Sequence, residues 1–373
     1  MLDLCRQQAS IQEAFEEVVQ RVVSEARYLT DEAVTPFEES LASYCFRKYA
    51  LGVGSGTAAL HLALLAAGVG PGHEVITPPN SFFATAEAIL QTGARPRFID
   101  VDSGTHLITA AEVRAAVSER TRAIVPVHLF GSVVDVPAIE IALREIGRSD
   151  VIIIEDCAHA AGAWRAGRSV PLGQIGAFSF NPGKNIGALG DAGAVVTDDA
   201  GIAVAVRLLR DHGRQGKNDH VLIGFNSRLD RLNDQILHLK MKYLDQWNAR
   251  RRAHAARYDS AFSGHPEITP LLVEPEVLSA RHQYVIRCSQ RDVLREHLRA
   301  SGIVTAIHYP RLIVEHEPIR RLGFVSSEVP VAERLNTQLV SLPCFPELHT
   351  AEVDYVIARV LEFSRDRTVN EAR

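Results

Sequence analysis

Residues 50–68 read ALGVGSGTAALHLALLAAG, which has the pattern of one strand followed by one helix. A short apolar run leads into three glycines, and Thr57 then opens a segment in which alanine and leucine recur at helical spacing. A strand, a glycine turn and a helix form the unit from which parallel sheets are built. The small residues at the helix start let backbone N–H groups approach a phosphate, although an ordinary capped turn has the same pattern.

The alternation continues through the first part of the chain. The predicted strands are YALGV, EVITP, RFIDV, AIVPVHLF, VIIIE, GAFSF and GAVVT. The predicted helices between them are TAALHLALLAAG, ATAEAILQTG, AAEVRAAVS and PAIEIALREIG. The pattern predicts an α/β fold with a mostly parallel sheet covered on both faces. Because the last three strands follow without full helices between them, we expect one of them to run antiparallel or to lie at an edge.

The remainder of the chain predicts a smaller α+β domain. Residues 228–262 have the pattern of a long helix or a helix pair. Beyond SGHPEITP, we predict QYVIRC and IVTAIHYP as strands, with RDVLREHLRASG as a helix between them and another helix near the C-terminus. A chain of 373 residues exceeds what one core usually supports. We therefore place a large domain at 1–240 and a small one at 241–373, and expect the N-terminal helix within 1–27 to pack on the small domain.

Composition narrows the function classes. The chain has 46% hydrophobic and 23% charged residues and a net charge of -5, which argues against nucleic acid as its main partner. No apolar run reaches the length of a membrane span, and the start MLDLCRQQAS does not resemble a signal peptide. Five scattered cysteines without a CxxC pair fit reduced thiols, so we expect a cytoplasmic protein without a metal site.

One lysine stands out in FSFNPGKNIGALGDAGAVVTDD, residues 178–199. Of the 40 basic residues of the chain only five are lysine, and one of them, Lys184, lies here among small and apolar residues. A desolvated lysine amine can lose its proton and attack a carbonyl, whereas a guanidinium stays charged. The alternative is a lysine whose amine extends from a loop into solvent, and the stretch alone does not separate the two interpretations.

Other candidate residues follow predicted strands at the same sheet edge. Asp156 ends a buried strand and His159 comes three residues later, although a helix cap and an ordinary histidine would have the same pattern. Ser179 lies five residues before Lys184, and Phe82 follows another strand end, where core packing is the alternative. Together, a phosphate cradle, an acid for a ring nitrogen, an aromatic face and a Schiff-base lysine meet the requirements of pyridoxal phosphate (PLP).

The order and wording of these motifs resemble the DegT/StrS-type PLP-dependent nucleotide-sugar aminotransferases over nearly the whole chain. The matching segments are GSGTAALHLAL, GPGHEVITPPNSFFATAEAI, PVHLFG, VIIIEDCAHAAGA, GAFSFNPGKNIGALGDAGAVVTDD, RDHGR, GFNSRLDRLNDQIL and GIVTAIHYP. The resemblance implies the aspartate-aminotransferase-like fold (fold type I) and a homodimer with shared active sites. It is strongest to members that aminate the 3-keto carbon of a dTDP-linked 6-deoxyhexose.

The resemblance also implies a role for each matching residue. Lys184 would form the Schiff base and shuttle the proton, Asp156 would pair with the pyridine nitrogen, and Phe82 would cover one ring face. His159, in place of a usual glutamine, would lie near the phenolic oxygen. The residues implied to hold the phosphate are Gly56, Thr57 and Ser179, with Asn226 reaching across from a second subunit. His308 and Tyr309 match the segment that faces the sugar nucleotide.

The implied reaction is ping-pong transamination from L-glutamate, with pyridoxamine phosphate between its two halves. The chain departs from the usual pattern at Ala58, Phe130 and Asn181, in YLTDEAV (28–34) and in RLIVEHEP (311–318). These departures concern the identity of the substrate sugar more than the cofactor chemistry. Alternatives are a 4-aminotransferase and a non-catalytic sensor or scaffold that keeps the fold. Lys184 speaks against the related dehydratases, which carry histidine there, and an incomplete glycine fingerprint speaks against a nicotinamide-binding dehydrogenase.

Overall fold

The computed structural model describes residues 2–29, 34–323 and 328–371, the last seven of these as backbone only. Its α-helices are α1 (Leu4–Ala9), α2 (Gln12–Glu25), α3 (Pro36–Tyr44), α4 (Gly56–Ala66), α5 (Ala84–Gln91), α6 (Ala110–Ala116), α7 (Val136–Glu145), α8 (Ala200–Leu209), α9 (Arg231–Met241), α10 (Leu244–Phe262), α11 (Arg291–Ala300), α12 (Glu317–Arg321), α13 (Pro330–Asn336) and α14 (Thr350–Glu371). Short 3₁₀ turns cover Leu129–Gly131 and Ile313–Glu315.

The strands form one large sheet and three small ones. They are β1 (Tyr49–Val53), β2 (Glu74–Thr77), β3 (Arg95–Phe98), β4 (Thr121–Ile124), β5 (Ile152–Asp156), β6 (Trp164–Arg165), β7 (Arg168–Ser169), β8 (Ile175–Ser179), β9 (Gly193–Thr197), β10 (Arg214–Gln215), β11 (Asp219–His220), β12 (Thr269–Pro270), β13 (Val277–Leu278), β14 (Tyr284–Arg287) and β15 (Leu339–Leu342).

The large sheet has seven strands in the order β1-β9-β8-β5-β4-β2-β3. Strand β9 runs antiparallel to both of its neighbours, β1 and β8, and the other pairs are parallel. The predicted α/β class and the predicted antiparallel strand are therefore confirmed. That strand lies inside the sheet, however, and the edge positions belong to β1 and β3.

Helices cover both faces of this sheet, which explains the continuous apolar runs of its strands. One core lies under α4, where Leu62 and Leu64 pack with Val195 of β9 and are almost fully buried. The other lies on the opposite face and includes Phe178 and Phe180. Ser55 caps the start of α4 by accepting the N–H of Ala58, and Asp230 caps the start of α9 by accepting the N–H of Asn233.

The C-terminal region packs around a second sheet with the strand order β12-β14-β15 and antiparallel pairing. Tyr258, Tyr284 and Leu298 belong to its core, together with residues of α14. The predicted helix pair over 228–262 is α9 and α10. The division at residue 240 falls at the end of α9 and remains a proposal.

The N-terminal helices contact two regions. Phe15 and Val18 of α2 pack against Ile236 and Leu239 of α9. In α1, Arg6 forms paired hydrogen bonds of 2.8 and 2.9 Å with the carboxylate of Glu352 in α14. Within the described part of the chain, no helix is long and apolar enough to cross a bilayer.

Three predicted strands need correction. AIVPVHLF is a strand only as far as Ile124, because Pro126 has no N–H for the ladder and a 3₁₀ turn follows at Leu129–Gly131. IVTAIHYP forms only a single bridge, between Ala306 and Ser341, because the segment then turns toward a cavity. The third predicted strand, RFIDV, begins two residues earlier, at Arg95, and ends at Phe98.

Candidate active site

A cavity of about 430 Å³ lies at the carboxyl ends of β5 and β8, beside the start of α4. It is lined by Ser55, Gly56, Thr57, Leu60, Ser81, Phe82, Ala84, Thr85, Val127, Asp156, Ala158, His159, Ser179, Asn181, Gly183, Lys184, Asp191, His282, Gln283, His308 and Tyr309. The lining therefore includes every predicted site residue except Asn226. The C-terminal region closes the cavity through its segments at 282–283 and 308–309.

The start of α4 offers a cradle for an anion. The hydroxyl of Ser55 accepts the N–H of Ala58 at 3.0 Å, and in the described structure the N–H groups of Gly56 and Thr57 donate no hydrogen bond. A Cβ at Gly56 would lie 2.5 Å from the Cβ of Ser179, so only glycine lets the two segments approach this closely. Free N–H groups and the helix dipole together favour a phosphate here.

Lys184 lies in a tight loop after β8. Its backbone N–H donates to Asn181 O at 2.8 Å, and the N–H of Gly183 donates to the Asn181 side chain at 3.2 Å. Burial of the amine lowers the pKa of Lys184 to about 8, while the negative charge of Asp156 acts in the opposite direction. Much more of this amine is therefore neutral and nucleophilic near neutral pH than in an ordinary lysine.

Asp156 ends β5 with its carboxylate held in place. One oxygen accepts the hydroxyl of Thr85 at 2.9 Å, and the other accepts the N–H of Ala158 at 3.1 Å. Ser81 lies 2.9 Å from the Thr85 hydroxyl and extends this network. Burial raises the pKa of Asp156, which is 5% exposed, and a cationic N–H partner in the cavity would oppose that effect.

The neighbouring acid, Glu155, points away from the cavity because side chains alternate along a strand. It is fully buried and lies 2.8 Å from Nε2 of His128, and it accepts the N–H groups of Leu172 at 2.8 Å and Gly173 at 2.5 Å. These bonds satisfy the carboxylate, so Glu155 joins β5 to two loops and leaves the chemistry to Asp156.

Aromatic and imidazole rings form the opposite wall. Phe82 is 58% exposed, and its ring centroid lies 5.4 Å from that of Tyr309. His308 bonds to the Ser341 hydroxyl at 2.7 Å, and burial, with the nearby Lys184, lowers its pKa to about 4. His159 is buried and lies 3.4 Å from the Tyr309 hydroxyl.

Two of the departures noted in the sequence border this wall. Phe130 is buried in a backbone conformation with φ of 60°, and its N–H donates to His159. Asn181 lines the cavity and donates to Asp191 at 3.2 Å. The third departure, Ala58, packs against the core under α4. Of YLTDEAV, residues 30–33 lie outside the described residues.

Asn226 does not reach this cavity. It is exposed, and the guanidinium of Arg228 lies 3.5 Å from its side-chain oxygen. Its predicted role across a subunit interface remains a proposal.

Several cavity residues were not predicted from the sequence, among them Thr85, Asp191 and His282. Thr85 lies in ATAEAIL and His282 directly precedes a predicted strand, so position relative to the strands was the only available signal. Polar residues at such positions are common, and nothing in the sequence predicts the contact between His282 and Asn185, which lies 97 positions earlier.

Comparison with known proteins supports one family. Residues 9–361 match the model of the DegT/DnrJ/EryC1/StrS aminotransferase family. The chain is 41% identical over 359 residues to "Erythromycin biosynthesis sensory transduction protein EryC1" of Saccharopolyspora erythraea, covering 96% of this chain and 97% of that protein. It is 38% identical over 367 residues to "dTDP-3-amino-3,4,6-trideoxy-alpha-D-glucose transaminase" of Streptomyces venezuelae, with 97% and 95% covered. A solved structure of S. venezuelae DesV in complex with a ketimine intermediate superposes with a TM-score of 0.93 at 37% identity, with 97% of each chain covered.

Proposed function

The chain belongs to the DegT/DnrJ/EryC1/StrS aminotransferase family and is a sugar aminotransferase, and from this we propose that it transfers an amino group from L-glutamate to a nucleotide-linked keto-deoxysugar. We propose dTDP-3-keto-6-deoxyhexose as the substrate. The observation that carries the proposal is that Lys184, Asp156 and the free N–H groups at the start of α4 line one cavity. The name of the Streptomyces relative supports the choice of a dTDP-linked sugar aminated at carbon 3.

The cavity residues fit pyridoxal 5′-phosphate. The start of α4 at Gly56 and Thr57, with Ser179 packed against it, would hold the phosphate. Asp156 would pair with the ring nitrogen, Phe82 would cover the ring, and Lys184 would attach to the aldehyde carbon. When bound, this cofactor supplies an electron sink that stabilises negative charge on the substrate carbon.

The residues of the chain divide the remaining work. In its neutral form the amine of Lys184 takes a proton from the amino-bearing carbon of the donor, and in the second half-reaction it returns a proton to the sugar carbon. Asp156, fixed by Thr85 and Ala158, stays oriented through both halves. His308 and Tyr309 line the open side, where the sugar nucleotide would enter. The retained lysine and acid favour turnover over a sensor function.

A variant of Lys184 tests the proposal. We expect Lys184→Ala to lower turnover by about 10²–10⁴-fold or more, because nucleophile and proton carrier are lost together. Borohydride reduction of the PLP-loaded protein should attach the cofactor at residue 184 and should fail in the variant. The exposed Lys48→Ala, which removes a lysine amine elsewhere, is the matched control. Full activity of Lys184→Ala would contradict the assignment.

A substrate panel tests the sugar. Glutamate should support amination of dTDP-3-keto-6-deoxyhexoses more efficiently than that of dTDP-4-keto or UDP-linked keto-sugars. Preference for a 4-keto sugar would replace this proposal by the 4-aminotransferase. A glutamate half-reaction without amination of any keto-sugar would favour the sensor.

A further inference from the structure

Two histidines lie side by side in the wall of the cavity. The ring centroids of His159 and His282 are 4.4 Å apart, with 35° between their planes. The residues are 7% and 9% exposed, and both line the cavity. Hydrogen bonds to neighbouring groups fix which nitrogen of each ring carries the hydrogen, and the two rings have opposite tautomers.

The tautomer of His159 is set by Phe130. The backbone N–H of Phe130 lies 3.3 Å from Nδ1 of His159, and an N–H can only donate. Nδ1 therefore carries the lone pair, and in the neutral ring Nε2 carries the hydrogen. Nε2 lies 3.4 Å from the Tyr309 hydroxyl, so His159 presents a donor on the cavity side.

The tautomer of His282 is set through Asn185. The Asn185 amide nitrogen lies 2.8 Å from the carbonyl oxygen of Ala280, which can only accept, and 2.7 Å from the side-chain oxygen of Asn248. This fixes the amide orientation and leaves the Asn185 oxygen facing Nδ1 of His282 at 2.8 Å. Nδ1 of His282 therefore donates, and Nε2 carries the lone pair.

The chain of bonds is anchored at its far end as well. Asn248 donates to the carbonyl oxygen of Ala161 at 2.9 Å, so its own orientation is fixed. Asn185 and Asn248 are 2% and 1% exposed. In the described part of the chain the only hydrogen bond of the His282 ring is the one at Nδ1, so Nε2 has no partner, and the ring lines the cavity. The chain of hydrogen bonds therefore ends at Nε2 of His282, an acceptor to which no group donates in the described part of the chain.

The surroundings keep His282 neutral. Its partner at Nδ1 is an amide and not a carboxylate, and the backbone oxygen of His282 accepts Arg251 Nη1 at 3.3 Å. Burial lowers the pKa of His282 well below its usual range, and His159, Lys184, Arg251 and His308 all act in the same direction. The lone pair of Nε2 therefore persists at neutral pH.

We propose that His282 orients the sugar substrate, accepting through Nε2 a hydrogen bond from a hydroxyl group of the keto-sugar beside the donor N–H of His159. This inference rests on the proposed function. A hydroxyl supplies the hydrogen that the lone pair of His282 requires. The carboxylates of glutamate only accept, so the lone pair of His282 has no complementary group in them.

Two substitutions test the roles of Nδ1 and Nε2 of His282 separately. In His282→Asn the side-chain amide takes the place of Nδ1 and the cavity acceptor is lost, whereas in His282→Gln the amide oxygen takes the place of Nε2. We expect His282→Asn to lower kcat/KM for the keto-sugar half-reaction about tenfold more than that for the glutamate half-reaction, mainly through KM. His282→Gln should recover most of the difference. His297→Asn on α11, whose ring bonds to the backbone oxygen of Arg359 at 3.0 Å, is the control.

Equal losses in both half-reactions, or equal defects in the two variants, would overturn the proposal. A second measurement does not depend on activity. In the cofactor-free protein, nitrogen-15 spectra of the imidazole rings at pH 7 should show His282 with hydrogen on Nδ1 and His159 with hydrogen on Nε2. The opposite tautomer or a protonated ring at His282 would overturn the inference even if the enzyme is active. If the tautomers are as described but wild-type protein aminates no sugar, the proposed function fails and so does the role of His282 in it.

Discussion

At the scale of single residues, Lys184 and Asp156 affect each other across the cavity. Burial lowers the pKa of Lys184 to about 8, and the carboxylate of Asp156 partly opposes this by favouring the protonated amine. Only the neutral amine attacks an aldehyde, so reactivity should increase as the pH rises through that value. Burial and the charge of Asp156 therefore together set the pH at which the amine of Lys184 becomes reactive.

We expect the rate of pyridoxal attachment to Lys184 in the cofactor-free protein to rise with pH and to level off above a midpoint of about 8. In Asp156→Asn the midpoint should fall by at least about half a pH unit, because a charge that stabilises the ammonium is lost. Borohydride trapping followed by peptide mass spectrometry measures the rate. The exposed Asp150→Asn is the control, since Asp150 pairs with Arg148 on the surface. An upward shift in Asp156→Asn would contradict the coupling.

The residues differ in how well the sequence predicts them. Lys184 and Asp156 follow strand ends, and a parallel sheet brings such positions to one edge. The chain of bonds from Asn248 through Asn185 to His282 joins residues 63 and 97 positions apart. No periodicity links them, because their contact depends on how the C-terminal region packs against the cavity. Such contacts can be identified only from the tertiary structure.

Among the elements, helix α9 forms a hydrogen bond with the loop that carries Lys184. Lys240 of α9 is 6% exposed, and its amine donates to the carbonyl oxygen of Gly187 at 2.6 Å. A Cβ at Gly187 would lie 2.4 Å from the carbonyl oxygen of Pro182, so the loop folds closely back on itself. The helix therefore satisfies a buried carbonyl of the segment that carries Lys184.

Lys240→Met keeps the length of the side chain but removes its donor. We expect a loss of about 1–3 kcal/mol in the free energy of unfolding, because the Gly187 carbonyl is left buried and unpaired. Urea unfolding followed by circular dichroism measures this. Lys242→Met, at an exposed position after the same helix, should change stability by less than about 0.5 kcal/mol. Equal stability of the two variants would show that the contact contributes nothing.

The predicted helices match the observed limits more closely than the predicted strands do, although α3, α8, α12 and α13 were not predicted. The helix beginning at Ala84 follows its apolar periodicity, and Ser55 and Asp230 mark the starts of α4 and α9. The strand β15, with the sequence LVSL, was missed, because four residues around a serine give too short a pattern. IVTAIHYP has a strand-like composition, but His308 and Tyr309 turn into the cavity. Tertiary packing overrides propensity where the chain builds its site.

For the whole molecule, the cavity has too little positive charge for its proposed ligands, which are anionic. In the described structure, the carboxylates of Asp156 and Asp191 and the amine of Lys184 are the lining groups that carry charge when the histidines are neutral. The phosphate of the cofactor, the diphosphate of the sugar nucleotide and glutamate are all anionic. The free N–H groups at the start of α4 are proposed to hold the cofactor phosphate, so further cationic or N–H groups are needed for the diphosphate and for glutamate, which supports the proposed shared site in a homodimer.

The segment before Asn226 has the surface expected of such an interface. Ile223 is 92% exposed and Val221 is 55% exposed, so apolar side chains lie uncovered next to a residue proposed to reach a second subunit. If Asn226 serves the site of the partner, each site contains Lys184 from one subunit and Asn226 from the other. Lys184→Ala then removes a residue from the site of its own subunit, and Asn226→Ala removes one from the site of the partner. A mixed dimer of the two variants contains one site with both substitutions and one site with neither.

Subunit mixing therefore tests the shared site. We expect both variants to have low activity as pure dimers, Asn226→Ala through weaker cofactor binding at limiting PLP. A one-to-one mixture that is dissociated and reassociated forms mixed dimers for about half of its molecules, so about a quarter of all sites are intact. Activity at limiting PLP should recover toward that fraction. Crosslinking or mass measurement must show that subunits have exchanged. Exchange without any gain in activity would mean that Asn226 acts within its own chain or has no part in the site, and would remove the basis for its assignment across the interface.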